Sequence, residues 1–463
     1  MTGISVVHRK TAISTPSLIS LPLFGLILLV LGVVALAGAP SPAGAAGPRP
    51  EQVNPPDGPL NFDACVYLAL SNSPYLKKSS LEIEIRKLDE SDSRYGMIPP
   101  LTFRTYYYVN QPKGPSGITP QPYSLSFSMD PYNPLGSYFT LQAQKKVTQI
   151  AILKHLKVIA AGLRNLGNMF LDLEALKTLL AYQTEMVNLA RENLVFAENR
   201  LSIGTGTSVE VKMATRELEL ARGEEEHLRL QQERELKHLK TYLGLKTESI
   251  NLDLRDARRQ VLGNFNPATA TYEQAKERSY DLKILQLQLE VQGYQVLLAK
   301  AKVFPDVLFN TQTPDPLSLT NNPRGMFVGF GLQLPVWDGF KRFREVTRQK
   351  AMLKQVDAEI ETKKGDFVDL WENGKGEIQE TESDLKLAQI QEELTQLKAR
   401  QVEVQYNSGN VLLSAYLEAR KGWLEAKKIT VKKTLLYHMA ILKQRQLSGD
   451  LSQTYVDQNS WQN

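Results

Sequence analysis

The clearest pattern along the chain is the strict alternation of large apolar and small polar residues in YSLSFSMD, residues 123–130. Because successive side chains of a strand point to opposite faces, the segment predicts a strand with one apolar face and one hydroxyl-lined face. The segment VGFGLQL, residues 328–334, repeats the pattern with Gly and Gln at the polar positions. Residues 101–110 and 306–313 predict a further strand before each of these, across a turn rich in Pro, Gly and Asn.

Apolar residues spaced by seven follow each pair of predicted strands. The first series is Leu166, Leu173, Leu180, Val187, Leu194 and Leu201, and the second is Ile390, Leu397 and Val404, with Leu387 and Leu394 beside it. Met169, Leu176, Ala190 and Ala197 add the alternating three-and-four spacing, with Gln183 as a polar exception. This narrow apolar seam predicts long helices packed as coiled coils. The segments SIGTGTS and YNSGN interrupt each helix, and the apolar pattern then resumes.

The two halves of the chain match each other at a shift of about 205 residues. Gly204 corresponds to Gly409, and Gly244 corresponds to Gly449. Such a repeat predicts a tandem duplication, in which each copy contains a helix, two strands and two long helices. We assign residues 46–262 to the first copy and residues 263–463 to the second.

Residues 1–45 have the layout of a secretory signal peptide. A short basic segment precedes the apolar run LPLFGLILLVLGVVALAG, and small residues suited to cleavage follow it. The alternative is an uncleaved membrane anchor. No later segment approaches the roughly 20 consecutive apolar residues of a membrane-spanning helix, so any membrane crossing after residue 45 requires strands.

Composition and motifs provide no support for an enzyme or a nucleic-acid-binding protein. Arg9 and Lys10 are two of the 55 basic residues, which leaves 53 basic against 50 acidic residues, mixed along the predicted helices. The five histidines have no metal-ligand spacing, and the single cysteine, Cys65, cannot form an internal disulfide. We therefore expect no catalytic site, no cofactor, no metal and no nucleic-acid partner.

Four predicted strands per chain cannot close a barrel, whereas three chains would supply twelve. In that arrangement the apolar strand positions would face lipid, and the Ser, Gly and Gln positions would face a wet lumen. The lipid-facing residues would include Tyr123, Leu125, Phe127, Val328, Phe330 and Leu332. A soluble, half-buried sheet explains the alternation equally well, but the export signal and the long paired helices favour the barrel.

At this point the sequence resembles the TolC-type outer-membrane efflux proteins of Gram-negative bacteria. LQLPVWDGFKRFREV resembles the turn that leads from strand to helix in that family. The segments around SIGTGTS and YNSGN resemble its helix-tip signature, in which a glycine is followed by an alanine ten residues later. The first copy departs from the pattern, since SMDPYNPLGS keeps the proline but lacks the Asp-Gly pair.

The resemblance implies a mainly α chain with a small membrane β-barrel portion. Three chains would form a twelve-stranded outer-membrane barrel and an α-helical tunnel through the periplasm. Such a homotrimer would passively conduct substrates for a tripartite efflux or type I secretion system, with a periplasmic adaptor and an inner-membrane transporter as partners. The alternatives are a periplasmic coiled-coil adaptor without a pore and, less favoured, an enzyme on a helical scaffold.

The resemblance also assigns roles near the two helix tips. Gly204 and Gly409 would form the turns at which the adaptor docks, although a helix break needs glycine in any case. Glu210 and Tyr406 match an acidic residue and its tyrosine partner that close the tip. Glu418 matches an acidic ring in the bore, whereas the second ring position of the family falls on Ala415.

Overall fold

The structure is a computed structural model that describes residues 58–107, 123–245, 250–312, 327–334 and 336–455. The predicted signal peptide, residues 1–45, lies outside this part of the chain. The described helices are α1 (Phe62–Asn72), α2 (Pro74–Tyr95), α3 (Pro134–Ser202), α4 (Ser208–Tyr242), α5 (Ala257–Leu262), α6 (Tyr272–Arg278), α7 (Tyr280–Ala301), α8 (Lys341–Asn407), α9 (Leu413–Leu447) and α10 (Asp450–Tyr455). The described strands are β1 (Leu101–Tyr107), β2 (Tyr123–Tyr132), β3 (Asp306–Gln312) and β4 (Phe327–Gln333). The predicted mainly α fold with a small β portion is therefore confirmed for the described residues.

Local sequence explains where α3 and α7 begin. Asn133 caps α3, because its side-chain oxygen accepts a hydrogen bond from the Gly136 N–H at 2.9 Å, and Pro134 occupies the first helical position. The single helix predicted before the strands of the second copy is instead two helices, α6 and α7. The break falls at Ser279, whose hydroxyl accepts a hydrogen bond from the Leu282 N–H and so starts a new helix. Among the described residues, no helix has both the length and the apolar character needed to cross a membrane.

The long helices form a layer in which α3 is central. In the part of α3 that leads away from the sheet, α4 packs on one side and α9 on the other, and α8 packs on α9. In the part that adjoins the sheet, α2 and α7 flank α3, and α8 packs on α7. The order of neighbours is therefore α4–α3–α9–α8 at one end and α2–α3–α7–α8 at the other. The same succession of helix, two strands and two long helices occurs in each half of the described chain, and the division at residues 262 and 263 remains a prediction.

The strands described form an antiparallel sheet in the order β1-β2-β3-β4. Phe103 lies opposite Phe127, and Phe309 lies opposite Phe330. Ring centroids in these pairs are 4.9 and 5.0 Å apart, within the range of favourable aromatic contacts. The strand predicted over residues 123–130 continues two residues farther, through Pro131 to Tyr132. The pairing of β2 with β3 is irregular between Met129 and Tyr132, and proline is tolerated at such an interruption.

The predicted heptads have different environments in the two copies. On α3 the series lies largely in the core: Leu166 and Leu173 are fully buried, and Val187 packs against Leu218 and Ala221 of α4. Its last member, Leu201, is exposed beside the first tip. On α8 the predicted seam is exposed, and Leu397 keeps 62% of its surface accessible. No other helix of the same chain therefore covers this second series, and its packing as a coiled coil stays a prediction. The buried side of α8 instead includes Trp371, Ile378, Ala388 and Ala399.

Candidate functional site

Gly204 and Gly409 end the two longest helices and reverse the chain. Their φ angles are +75° and +77°, in the left-handed region that side chains with a Cβ disfavour. Hydrogen bonds from the N–H groups of Gly204 and Thr205 return to carbonyls in the last turn of α3, as in a Schellman-type ending. Space does not require glycine, because an added Cβ would have no atom within 4 Å at either position. The backbone conformation alone explains both glycines.

The first tip, between α3 and α4, is fixed by a capping box. The Thr207 hydroxyl accepts a hydrogen bond from the Glu210 N–H at 3.2 Å, and the Glu210 carboxylate accepts one from the Thr207 N–H at 3.4 Å. The same carboxylate lies 3.5 Å from the Arg200 guanidinium. That guanidinium in turn donates to the Thr205 carbonyl at 2.8 Å. The contacts of Glu210 thus stabilise the turn between α3 and α4.

The second tip, between α8 and α9, is organised differently. The Tyr406 ring stacks on Tyr416 with 5.3 Å between centroids and 11° between planes. The Tyr416 hydroxyl accepts a hydrogen bond from Arg420 at 3.0 Å, so the stack is tied to α9. No contact in the described part of the chain joins Tyr406 to Glu210. Glu418 is exposed on α9.

A buried polar node joins α4, α3 and α9, and sequence reasoning found only part of it. Gln183, the polar member of the α3 heptads, is fully buried; its amide donates to the Ala221 carbonyl at 2.9 Å and its oxygen accepts from Lys428 Nζ at 2.6 Å. Lys428 Nζ also lies 3.5 Å from the Glu224 carboxylate. The break in the apolar spacing pointed to Gln183, whereas nothing in the spacing of α9 pointed to Lys428.

The outer elements of the layer are partly uncovered along both of its sides. On one side lie β1, α2 and α4, and on the other lie β4 and α8. Large apolar side chains are exposed on each of these helices: Leu81, Ile85 and Leu88 on α2; Val209, Met213, Leu220 and Leu230 on α4; Leu387, Ile390, Leu394, Leu397 and Val404 on α8. We call the α8 set the α8 stripe. Within the described residues, β1 pairs only with β2 and β4 pairs only with β3, which leaves strand edges open.

The sheet has one apolar and one polar face, as the alternation predicted. Phe127, Val328, Phe330 and Leu332 are exposed, and Phe330 keeps 81% of its surface accessible. The backbones of Tyr123 and Leu125 belong to β2, but their side chains lie outside the described residues. On the opposite face, the register aligns Ser128 of β2 with Asn310 of β3 and with Gly329 of β4, whereas Gly331 lies opposite Leu308.

Burial shifts the pKa values of several titratable groups in the described helices. Within the described residues, no group of three or more His, Cys, Asp or Glu could hold a metal ion. Burial raises the pKa of the Cys65 thiol to about 12, which disfavours the reactive thiolate. Burial, aided by Arg258, lowers the pKa of His438 to about 4 and keeps it neutral. Burial, aided by Glu235, raises the pKa of Asp172 to about 6.

Solved outer-membrane proteins have the same arrangement of helices and strands. The outer-membrane channel OprN aligns with a TM-score of 0.70 at 16% identity, over 84% of this chain and 89% of that one. The CmeC outer membrane channel of Campylobacter jejuni gives 0.68 at 16% identity, over 86% and 90%. The outer membrane protein VceC of Vibrio cholerae gives 0.67 at 13% identity, over 84% and 96%. No family model and no curated protein matches the sequence.

Proposed function

We propose that this chain, which has the fold of the TolC-type outer-membrane channels, forms the passive exit duct of a tripartite efflux or type I secretion system. It acts as a homotrimer in the outer membrane of a Gram-negative-type bacterium and extends into the periplasm. The observation that carries the proposal is the pair of uncovered sides of the layer. One side presents α2, α4 and β1, and the opposite side presents α8 and β4, so successive copies can join head to tail.

Closure of the layer into a ring accounts for its exposed apolar groups. The five side chains of the α8 stripe would each contribute about 1–2 kcal/mol if a neighbouring copy covered them. Joining β4 to β1 of the next copy would pair the open strand edges, and three copies would supply twelve strands. The apolar face of such a barrel would meet lipid, and the Ser, Gly and Gln face would line the lumen.

The tips of the helix pairs would form the periplasmic end of the duct. Ile203 and Val209 at the first tip and Leu412 at the second are exposed, and they would contact the periplasmic adaptor around Gly204 and Gly409. The inner-membrane transporter would act through that adaptor. Glu418 would form an acidic ring of three carboxylates, and Glu210 and Tyr406 would link neighbouring helix pairs across the closed tip. These roles rest on the resemblance to the family and on the position of each residue.

Conductance in a planar lipid bilayer tests the proposal. The purified protein is expected to produce uniform current steps. On a denaturing gel it is expected to migrate as an oligomer that dissociates into single chains when the sample is heated. A periplasmic coiled-coil adaptor without a pore would produce neither result. The variant Ile390→Glu/Leu397→Glu puts charges on the α8 stripe and is expected to abolish both signals. The matched control, Glu392→Gln/Lys398→Gln on the same helix, is expected to preserve them.

A further inference from the structure

The turn from β4 into α8 carries a cluster of aromatic rings that contact one another and little else. Trp337 and Phe340 pack edge to face with 5.2 Å between centroids, and Phe340 lies 6.4 Å from Phe343. Trp337 keeps 75% of its surface accessible, and both phenylalanines keep more than half. Phe340 adopts φ +61°, a conformation that is unusual for a bulky residue. Large aromatic rings that are exposed to solvent on a strained backbone indicate a binding surface.

Two cations that form no ion pair with any described residue neighbour these rings in the sequence. Arg342 is paired with Asp338, whereas Lys341 and Arg344 are exposed and have no ion pair among the described residues. Both lie in the first turns of α8, where the helix dipole disfavours positive charge. Their position is therefore unfavourable within the chain alone, and an anion from outside would offset the cost.

The apolar surface continues around the boundary between sheet and helices. Exposed large side chains also lie where α2 meets β1, where β2 meets α3 and where α7 meets β3; these are Ile98, Leu101, Leu135, Tyr138 and Phe304. β2 and β3 are inner strands of the sheet, so a second copy joined at the outer strands would not cover their junctions. A lipid surface around the boundary would contact all of these junctions.

We propose that Trp337, Phe340 and Phe343, together with Lys341 and Arg344, bind anionic phospholipid at the helical end of the sheet. The rings would lie at the level of the acyl-chain boundary, where amphipathic aromatic residues are favoured, and the two cations would contact the lipid phosphate. The inference rests on the proposed membrane location. It adds a preference for negatively charged headgroups and assigns that preference to the turn from β4 into α8. The corresponding turn of the first copy, NPLGSYF, has no cation.

Quenching of Trp337 by brominated lipid tests the proposal. The full chain is placed in phosphatidylcholine nanodiscs containing a small fraction of brominated phosphatidylglycerol or brominated phosphatidylcholine. Subtracting the signal of Trp337→Phe isolates the contribution of Trp337. Phosphatidylglycerol is expected to quench at a lower mole fraction than phosphatidylcholine. Each cation contributes about five-fold in affinity, so Lys341→Gln/Arg344→Gln is expected to weaken the preference roughly 25-fold.

The control variant is Lys350→Gln/Lys354→Gln, which removes two exposed cations from the same helix about 9 to 20 Å farther along. It should retain the preference. Equal quenching by the two lipids, or an unchanged preference in Lys341→Gln/Arg344→Gln, would overturn the proposal. The proposal would also be overturned if neither lipid quenched Trp337 and Trp337→Ala formed a smaller oligomer. That result would mean that a second copy of the chain covers the aromatic cluster. The conductance of the wild-type chain tests the proposed function independently of these outcomes.

Discussion

Replacing Lys428 by Met tests whether the polar node holds the helical layer together. The variant keeps an unbranched side chain but leaves the Gln183 oxygen without its 2.6 Å partner in a fully buried position. A buried acceptor without a hydrogen bond costs about 1–3 kcal/mol. The lost attraction to Glu224 adds little, because that carboxylate is about half exposed (48%) and the contact is 3.5 Å. We therefore expect Lys428→Met to lower the free energy of unfolding by about 1–3 kcal/mol.

The double variant Gln183→Leu/Lys428→Met separates this cost from a general loss of packing. It removes both partners and restores an apolar residue to the α3 heptads, so we expect it to be close to neutral or stabilising. Lys432→Met, one turn along α9, removes a charge without disturbing the node and should stay within about 0.5 kcal/mol of the wild type. The free energy of unfolding of all three variants is measured from the helical circular dichroism signal as a function of denaturant concentration. Equal effects of Lys428→Met and Lys432→Met would refute the reasoning.

Three further predictions concern the tips and a buried histidine. Gly409→Ala should destabilise the chain by about 1–2 kcal/mol, because its φ of +77° is unfavourable for alanine, whereas Gly422→Ala inside α9 should stabilise it by about 0.5–1 kcal/mol; denaturation shifts of the same sign would contradict this. Glu418→Ala should weaken block by multivalent cations in single-channel recordings, since an acidic ring attracts cations, and unchanged block would remove Glu418 from the proposed ring. As the pH falls from 6.5 to about 4, the unfolded chain binds a proton at His438, whereas the imidazole of the folded chain stays neutral. The free energy of unfolding therefore falls over this pH range because of His438. His438→Gln should reduce the loss between pH 7 and pH 4.5 in urea titrations, and an identical loss in the two proteins would contradict the assignment.

Periodicity predicted the elements of this fold more reliably than it predicted their partners. The alternation at residues 123–130 and 328–334 located β2 and β4, and the glycines at 204 and 409 located the helix reversals. Both signals are local, because strand alternation and a left-handed turn depend on neighbouring residues alone. The α8 heptads were also recognised, but a spacing of seven does not specify which helix covers it. Within the chain, α9 packs against a different side of α8, which includes Ala388 and Ala399.

The candidate site was less accessible to sequence reasoning, because its contacts join distant parts of the chain. Gln183 was visible as a polar residue in an apolar series, yet its partner Lys428 lies 245 residues away and resembles many other helix-surface lysines. The aromatic cluster at Trp337, Phe340 and Phe343 lies in a motif that the resemblance had already noted. The exposure of these rings, and the absence of an ion pair for Lys341 and Arg344 within the part of the chain that the structure describes, became apparent only from the three-dimensional arrangement.

The mass of the native assembly tests most directly whether the uncovered sides of the layer join. The purified chain in detergent is analysed by native mass spectrometry beside Ile390→Glu/Leu397→Glu. We expect a species of three chains for the wild type and single chains for the variant. A wild-type protein that is a single chain, stays in solution without detergent and has the same assembly mass as the variant would contradict the proposed joining of the uncovered sides.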